Sequence, residues 1–382
     1  MFLLRRWLSF TVLPTVLLFL VLKSNLNAVE SREPDTPEGT CTTSGVCDTI
    51  KTVLVTGSNG FVASWIVKVL LEQGYSVHAA VRNEAIPDKV NHLKQLTAET
   101  SRLKIFSTGD LGSTPDDIWD APLKGCHAVI HASMAMGWRD GRHKMYEPTL
   151  AGTRQLLQAI ERHTDSIQTL ILTSSTAAVA TQDGNAITDE SHWRNAQEDI
   201  EQESWYSATK IAQEQMVTEW AQTQKKAGIL PPQFQFVSIV PTRVLGPPIV
   251  STLPISGWIQ ILRDWLLHPP AESNDTIEFV HVQDVARMHI AALEHPEAYG
   301  RYLCVDESWH WNELLEYLQQ LQPKMIIKPY KGDDDKVPPK QFSKERRNTL
   351  DVAFRSMKTM LKDAVEYLEA GDELGGLSTI KF

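Results

Sequence analysis

Cysteine is scarce, with four in 382 residues: Cys41 and Cys47 lie close together near the start, and Cys126 and Cys304 far apart in the remainder. Four are too few to staple a chain of this length with disulfides. No CxxC or Cys/His spacing suggests zinc, so no metal is expected. Positive charge is also short: 37 Lys and Arg stand against 47 Asp and Glu, a net charge of −10. A nucleic-acid binder needs a basic face to displace counterions, so that class is excluded. No internal repeat is present. What remains is an ordinary globular composition, 42% hydrophobic and 22% charged, enough for a sizeable core.

The first residues differ from the rest. Arg5 and Arg6 precede an almost charge-free run from Trp7 to Leu22, closed by Lys23. The run is slightly shorter than the roughly 20 apolar residues of a spanning helix, and Pro14 interrupts it. Leu26-Asn27-Ala28 lacks the small-x-small pattern of a cleavage site. Residues 1–23 therefore read as an uncleaved signal anchor that attaches the chain to a membrane of the secretory pathway, the endoplasmic reticulum in particular. The positive flank places the N-terminus in the cytosol and the rest in the lumen. Asn274-Asp275-Thr276, the one N-x-[ST] acceptor, and a Cys41–Cys47 pair would suit that compartment. Residues 24–50, rich in Ser, Thr, Pro, Gly and acids, read as a flexible linker.

From Lys51 onward, short apolar runs alternate with helical stretches. "TVLVTG", "SVHAAVR", "LKIFSTGDL", "HAVIHAS" and "TLILTSS" read as strands, and "FVASWIVKVLLEQG" and "TLAGTRQLLQAIERH" as helices. This rhythm predicts an α/β fold, a doubly wound parallel sheet of the Rossmann type over residues 51–240. After residue 240, proline pairs at Pro247-Pro248 and Pro269-Pro270 break the rhythm. Residues 241–382 read as a smaller substrate-binding region, with some elements returning to the sheet.

"TGSNGFVASW" sits at the first strand-to-helix junction. A dinucleotide-binding turn needs one glycine for the tight turn, another for close approach to the pyrophosphate, and a small residue for helix–strand packing. Gly57, Gly60 and Ala63 have that spacing. The pyrophosphate would lie at the helix N-terminus, over Ser58, Asn59, Phe61 and Val62. An NAD site places an acid at the end of the second strand. Here that end is Val81-Arg82, and Arg82 could fork onto a 2′-phosphate, which points to NADP(H). Asp110 and Leu111 would line the adenine pocket.

"ESWYSATKIAQEQ" places Tyr206 and Lys210 four apart, on one face of a helix. A tyrosine that exchanges protons near neutral pH needs a pKa below its usual value of about 10, and an adjacent ammonium lowers it. Ser174 and Ser175 end the strand "LILTSS". Strand alternation lets only one of them face a ligand crevice, and either could hold a carbonyl oxygen.

With these pieces in place, the chain from Lys51 onward resembles the extended short-chain dehydrogenase/reductases. It is most similar to the dihydroflavonol reductase, cinnamoyl-CoA reductase and aldehyde/ketone reductase group. The matching stretches are "VTGSNGFVAS", "VRN", "GDL", "TSS", "TDESHW", "WYSATK", "VPTRVLGPP", "FVHVQDVARMHIAALEHPEAYGRYLC" and "FRSMKTMLKDAVEYL". The resemblance implies an NADPH-dependent reductase acting on a small carbonyl or alcohol substrate. It implies Ser175, Tyr206 and Lys210 as the catalytic set. It puts Ala132, Pro241 and Thr242 beside the cofactor, together with the turn residues, Arg82, Tyr206 and Lys210. His281 reads as a packed histidine. A second copy of the chain is a candidate partner. Two other readings use the same fold: a 3β-hydroxysteroid dehydrogenase or nucleotide-sugar epimerase, and a non-catalytic NADP(H) sensor or scaffold.

Overall fold

This computed structural model describes residues 51–136, 141–182, 186–249, 257–271, 273–332, 336–371 and 373–374. Its order begins β1 (Thr52–Thr56), α1 (Phe61–Glu72), β2 (Ser76–Val81), α2 (Pro87–Lys94), β3 (Leu103–Ser107), α3 (Asp120–Leu123), β4 (Ala128–His131), α4 (Tyr146–Arg162) and β5 (Thr169–Thr173). It continues through β6 (Ile187–Thr188), α5 (Ala196–Glu201), α6 (Trp205–Lys226), β7 (Gln235–Pro241), β8 (Arg243–Leu245), α7 (Trp258–Leu267), β9 (Thr276–His281), α8 (Val282–Glu294) and β10 (Gly300–Cys304). It closes with β11 (Ser308–His310), α9 (Trp311–Leu321), β12 (Gln341–Phe342), α10 (Glu345–Asn348) and α11 (Met357–Ala370).

Seven strands form one sheet in the order β10-β7-β5-β4-β1-β2-β3, and every neighbouring pair is parallel. The apolar runs are continuous because both faces are covered. Val53 and Val55 face α1 and α8, while Leu54 and Leu170 face the side of α4 and α6. Strand order reverses at β1: β2 and β3 extend one way, β4 and β5 the other. The loops leaving β1 and β4 therefore diverge, opening a crevice at their carboxyl ends.

A smaller sheet, β11-β9-β8, carries α7, α9 and α11. Leu262, Phe279, Leu314, Leu318 and Leu361 form its core. β8 begins two residues after β7 ends, so this layer grows directly from the carboxyl end of the main sheet. β10 then returns to the main sheet beside β7.

Residues 1–23 and 24–50, with Cys41 and Cys47, lie outside the described residues. Among the described residues no helix is long and apolar enough to cross a membrane. Asn274, the acceptor asparagine, takes part in internal bonding: its Oδ1 accepts from the Val337 N–H at 2.9 Å and lies 3.2 Å from the His310 ring.

Several histidines are buried within this framework, His131, His281 and His289 most deeply. Burial holds the pKa of His131 down to about 3, and those of His281 and His289 to about 4. The unfolded chain protonates such groups near 6.5. Below that pH the unfolded state binds more protons, so stability should fall as pH drops from about 6.5 toward 4. The urea midpoint is expected to be lower at pH 5 than at pH 7, and His289→Gln should reduce the difference. Equal midpoints at the two pH values would refute this account.

Candidate active site

The turn after β1 is built from its glycines. Gly57 has φ +65°, and a Cβ there would lie 3.1 Å from Ser133. Its carbonyl accepts from the Gly60 N–H at 2.8 Å. Gly60 caps α1 with no side-chain bond, and the first turn carries no acid. The first-turn N–H groups have no intrahelical partner, which suits an anion. Ser58 turns inward: its hydroxyl donates to the Val55 carbonyl at 2.7 Å and its N–H to the Ala80 carbonyl at 3.0 Å. Both of its donors serve the turn itself. Asn59, Phe61 and Val62 are partly exposed along the turn.

At the end of β2, Arg82 forms an ion pair with Asp110 from beyond β3, at 2.7 Å, and both side chains are exposed. These two expected residues meet, while Leu111 packs against Gly152 of α4. At the end of β4, the N–H groups of Ala132 and Ser133 both donate to Thr56 Oγ1 at 3.1 Å. The Thr56 hydroxyl must then donate to His131 Nδ1, 2.9 Å away. That leaves the histidine proton on Nε2, where it reaches Thr153 Oγ1 at 3.1 Å. At the end of β7, Thr242 donates its N–H to the Cys304 carbonyl and its hydroxyl to the Glu278 carbonyl, which fixes the Pro241-Thr242 corner.

The end of β5 resolves the two serines. Ser174 points behind the sheet end, and its hydroxyl donates to Glu214 at 2.8 Å. Ser175 accepts from the Ala177 N–H at 3.1 Å, and its hydroxyl lies beside that of Tyr206. Lys210 is buried and donates to the Thr173 carbonyl at 2.9 Å. Tyr206, Lys210 and Ser175 are thus gathered at one strand end.

Their electrostatics differ from the expectation. Burial raises the Tyr206 pKa, and the neighbouring Ser175 hydroxyl opposes it. Burial lowers Lys210 to about 8, against the pull of Glu214. Sequence reading passed over Thr56, His131, Glu214 and Arg301. The signal for Glu214 was an acid four residues after Lys210 on a helix, the same spacing that joins Lys210 to Tyr206. His131, inside an apolar strand, offered no such pattern.

A sequence model described as the NAD dependent epimerase/dehydratase family matches residues 53–304. The chain belongs to this family. Among curated members it is 34% identical over 325 residues to cinnamoyl-CoA reductase 1 of Arabidopsis thaliana, covering 84% of this chain and 89% of that protein. It is 30% identical over 337 residues to the bifunctional dihydroflavonol 4-reductase/flavanone 4-reductase of Malus domestica, covering 84% and 91%. The solved structure of yeast methylglyoxal/isovaleraldehyde reductase Gre2, complexed with NADPH, shares the fold with a TM-score of 0.72 at 20% identity, covering 85% and 99%.

Kinship with these plant reductases overturns the expected membrane-anchored, secretory-pathway placement. That expectation rested chiefly on a short apolar run near the N-terminus, which meets only part of the length a bilayer requires.

In the family's turn, left-handed backbone at Gly57 costs any other residue about 1–2 kcal/mol. Gly57→Ala should lower the melting temperature distinctly more than Gly60→Ala, whose φ of −78° suits alanine. Equal losses would show that turn geometry does not require Gly57.

Proposed function

We propose that this chain is an NADPH-dependent reductase of aldehyde or ketone carbonyls. The observation that carries the reading is the placing of Tyr206 beside Ser175, with Lys210 anchored on the Thr173 carbonyl, at the carboxyl end of β5. The reductase relatives support the reaction class.

The residues present fit the cofactor. Gly57 lets the turn lie close against Ser133 where a Cβ would crowd it, and the uncapped start of α1 accepts a pyrophosphate. Arg82, with no acid at the end of β2, takes the 2′-phosphate. Ala132, Pro241 and Thr242 border the path toward the nicotinamide. When bound, NADP(H) supplies hydride chemistry at the nicotinamide ring.

Ser175 donates to the substrate carbonyl oxygen and orients it. Tyr206 gives that oxygen its proton, becoming phenolate as the alcohol forms. Before substrate binds, the Ser175 hydroxyl sits beside the phenol oxygen and favours the phenolate, and its one proton turns to the carbonyl oxygen when substrate arrives. Lys210 supplies positive charge on the same helix face as the proton leaves. Burial makes each of these charge effects larger than it would be in water.

Tyr206→Phe should reduce turnover of an aldehyde panel by at least 100-fold while leaving NADPH affinity within a few-fold. Full activity in that variant would refute the proton-donor role. Arg82→Asp should shift the ratio of NADPH to NADH efficiency toward NADH by at least 10-fold, since a charge-assisted fork is replaced by a repulsive carboxylate. An unchanged ratio would remove Arg82 from cofactor selection.

A further inference from the structure

The stretch "TDESHW" and the buried acid Glu214 have no part in the chemistry above, yet they meet beneath it. Glu214 is fully buried on α6, one helical turn beyond Lys210. Its carboxylate accepts from Ser174 Oγ of the β5 end at 2.8 Å and from Ser238 Oγ of β7 at 2.5 Å. Arg301 of β10 completes the set, with Nε at 3.0 Å and Nη2 at 3.4 Å. Arg301 is itself clasped. Its Nη1 donates to the carbonyls of Glu190 and His192, and its guanidinium lies 3.6 Å from the Trp193 ring centroid. The Glu190 side chain closes the clasp on the Leu303 N–H at 3.2 Å.

We propose that Glu214, held by Arg301, is a positioning residue for the reaction: its carboxylate stabilises the charge of Lys210 and pins α6 to the end of β5. This rests on the roles given above to Tyr206, Lys210 and Ser175. A buried ion pair adds little net stability, because desolvation offsets the attraction. Its value here is placement. Glu214 joins the helix that bears Tyr206 and Lys210 to three strands of the sheet. The Ser174 bond also turns that serine away, so that Ser175 is the one facing Tyr206.

The groups around Lys210 are few. Tyr206 and Glu214 share its helix. His131 approaches from β4, close enough to feel the lysine's charge. The Thr173 carbonyl accepts from it, and His289 of α8 holds the Thr173 hydroxyl at 2.8 Å. Arg301 stands behind Glu214. Burial keeps both histidines neutral at pH 6 and above. Glu214 is therefore the anion that acts on the lysine's proton, and it favours the ammonium.

The test follows the Lys210 proton directly. The full chain is labelled with 13C at lysine Cε, and the Lys210 signal is assigned by its loss in Lys210→Met. The titration midpoint is expected to fall by about one pH unit in Glu214→Gln. It should fall less in Glu214→Gln/Arg301→Gln, which removes the pair without stranding a charge. The double variant decides if the single one does not fold. The high-pH limb of kcat/KM for NADPH-dependent turnover should move with the midpoint. An unmoved midpoint in either folded variant overturns the proposal, since a purely structural Glu214 would alter stability alone. A moved midpoint with an unmoved limb supports the link from Glu214 to Lys210 and overturns the role of Lys210 in the reaction.

Discussion

The hydroxyl of Thr56 ties together the two strands at which the sheet reverses its order. It accepts from both N–H groups that follow β4 and donates to His131. Loops leaving a switch point diverge, so nothing in the sheet ladder itself holds them in register. The Thr56 bonds do so, and His131 carries the tie onward to Thr153 of α4. Gln213 of α6 also donates to Thr153, at 3.0 Å. The glycine turn, the β4 end and the two helices on one face thus form one hydrogen-bonded wall. Burial keeps His131 neutral, which is what allows it to accept on one nitrogen and donate on the other.

A second polar cluster, around Glu214, does for the β5 end what Thr56 does for β1. Both clusters lie in the interior, where an unpaired polar group is costly and a satisfied one is rigid. Together they hold the turn and the Tyr206 helix against neighbouring strands of one sheet. The proposed reaction, in which proton and hydride reach one carbonyl from fixed directions, would need that rigidity before the substrate arrives.

The electrostatic arrangement is less simple than a lysine beside a tyrosine. Lys210 is fastened to a backbone carbonyl, and burial takes its pKa well down while taking that of Tyr206 up. Ser175 is the group that favours the phenolate. Spacing on a helix places two side chains on one face, but their distance and hydration depend on what packs over them. The Arg82–Asp110 pair is similar: the two were expected in separate roles and share an exposed ion pair.

The parallel sheet, the glycine turn and the Tyr206–Lys210 face were all legible from local pattern, because strand and helix periods and positive-φ glycines are set by a few neighbouring residues. The choice between Ser174 and Ser175 was not, since it depends on Glu214 from a different element. His131 and Arg301 were equally hidden, because a polar residue inside an apolar run gives no sign of its partner. The membrane placement failed for a related reason: hydropathy of a short run measures composition, not surroundings. Local pattern decided which elements form and where the crevice opens. Contacts between residues 40 to more than 100 positions apart, such as Ser174 with Glu214 and Thr173 with His289, decided which side chains face it.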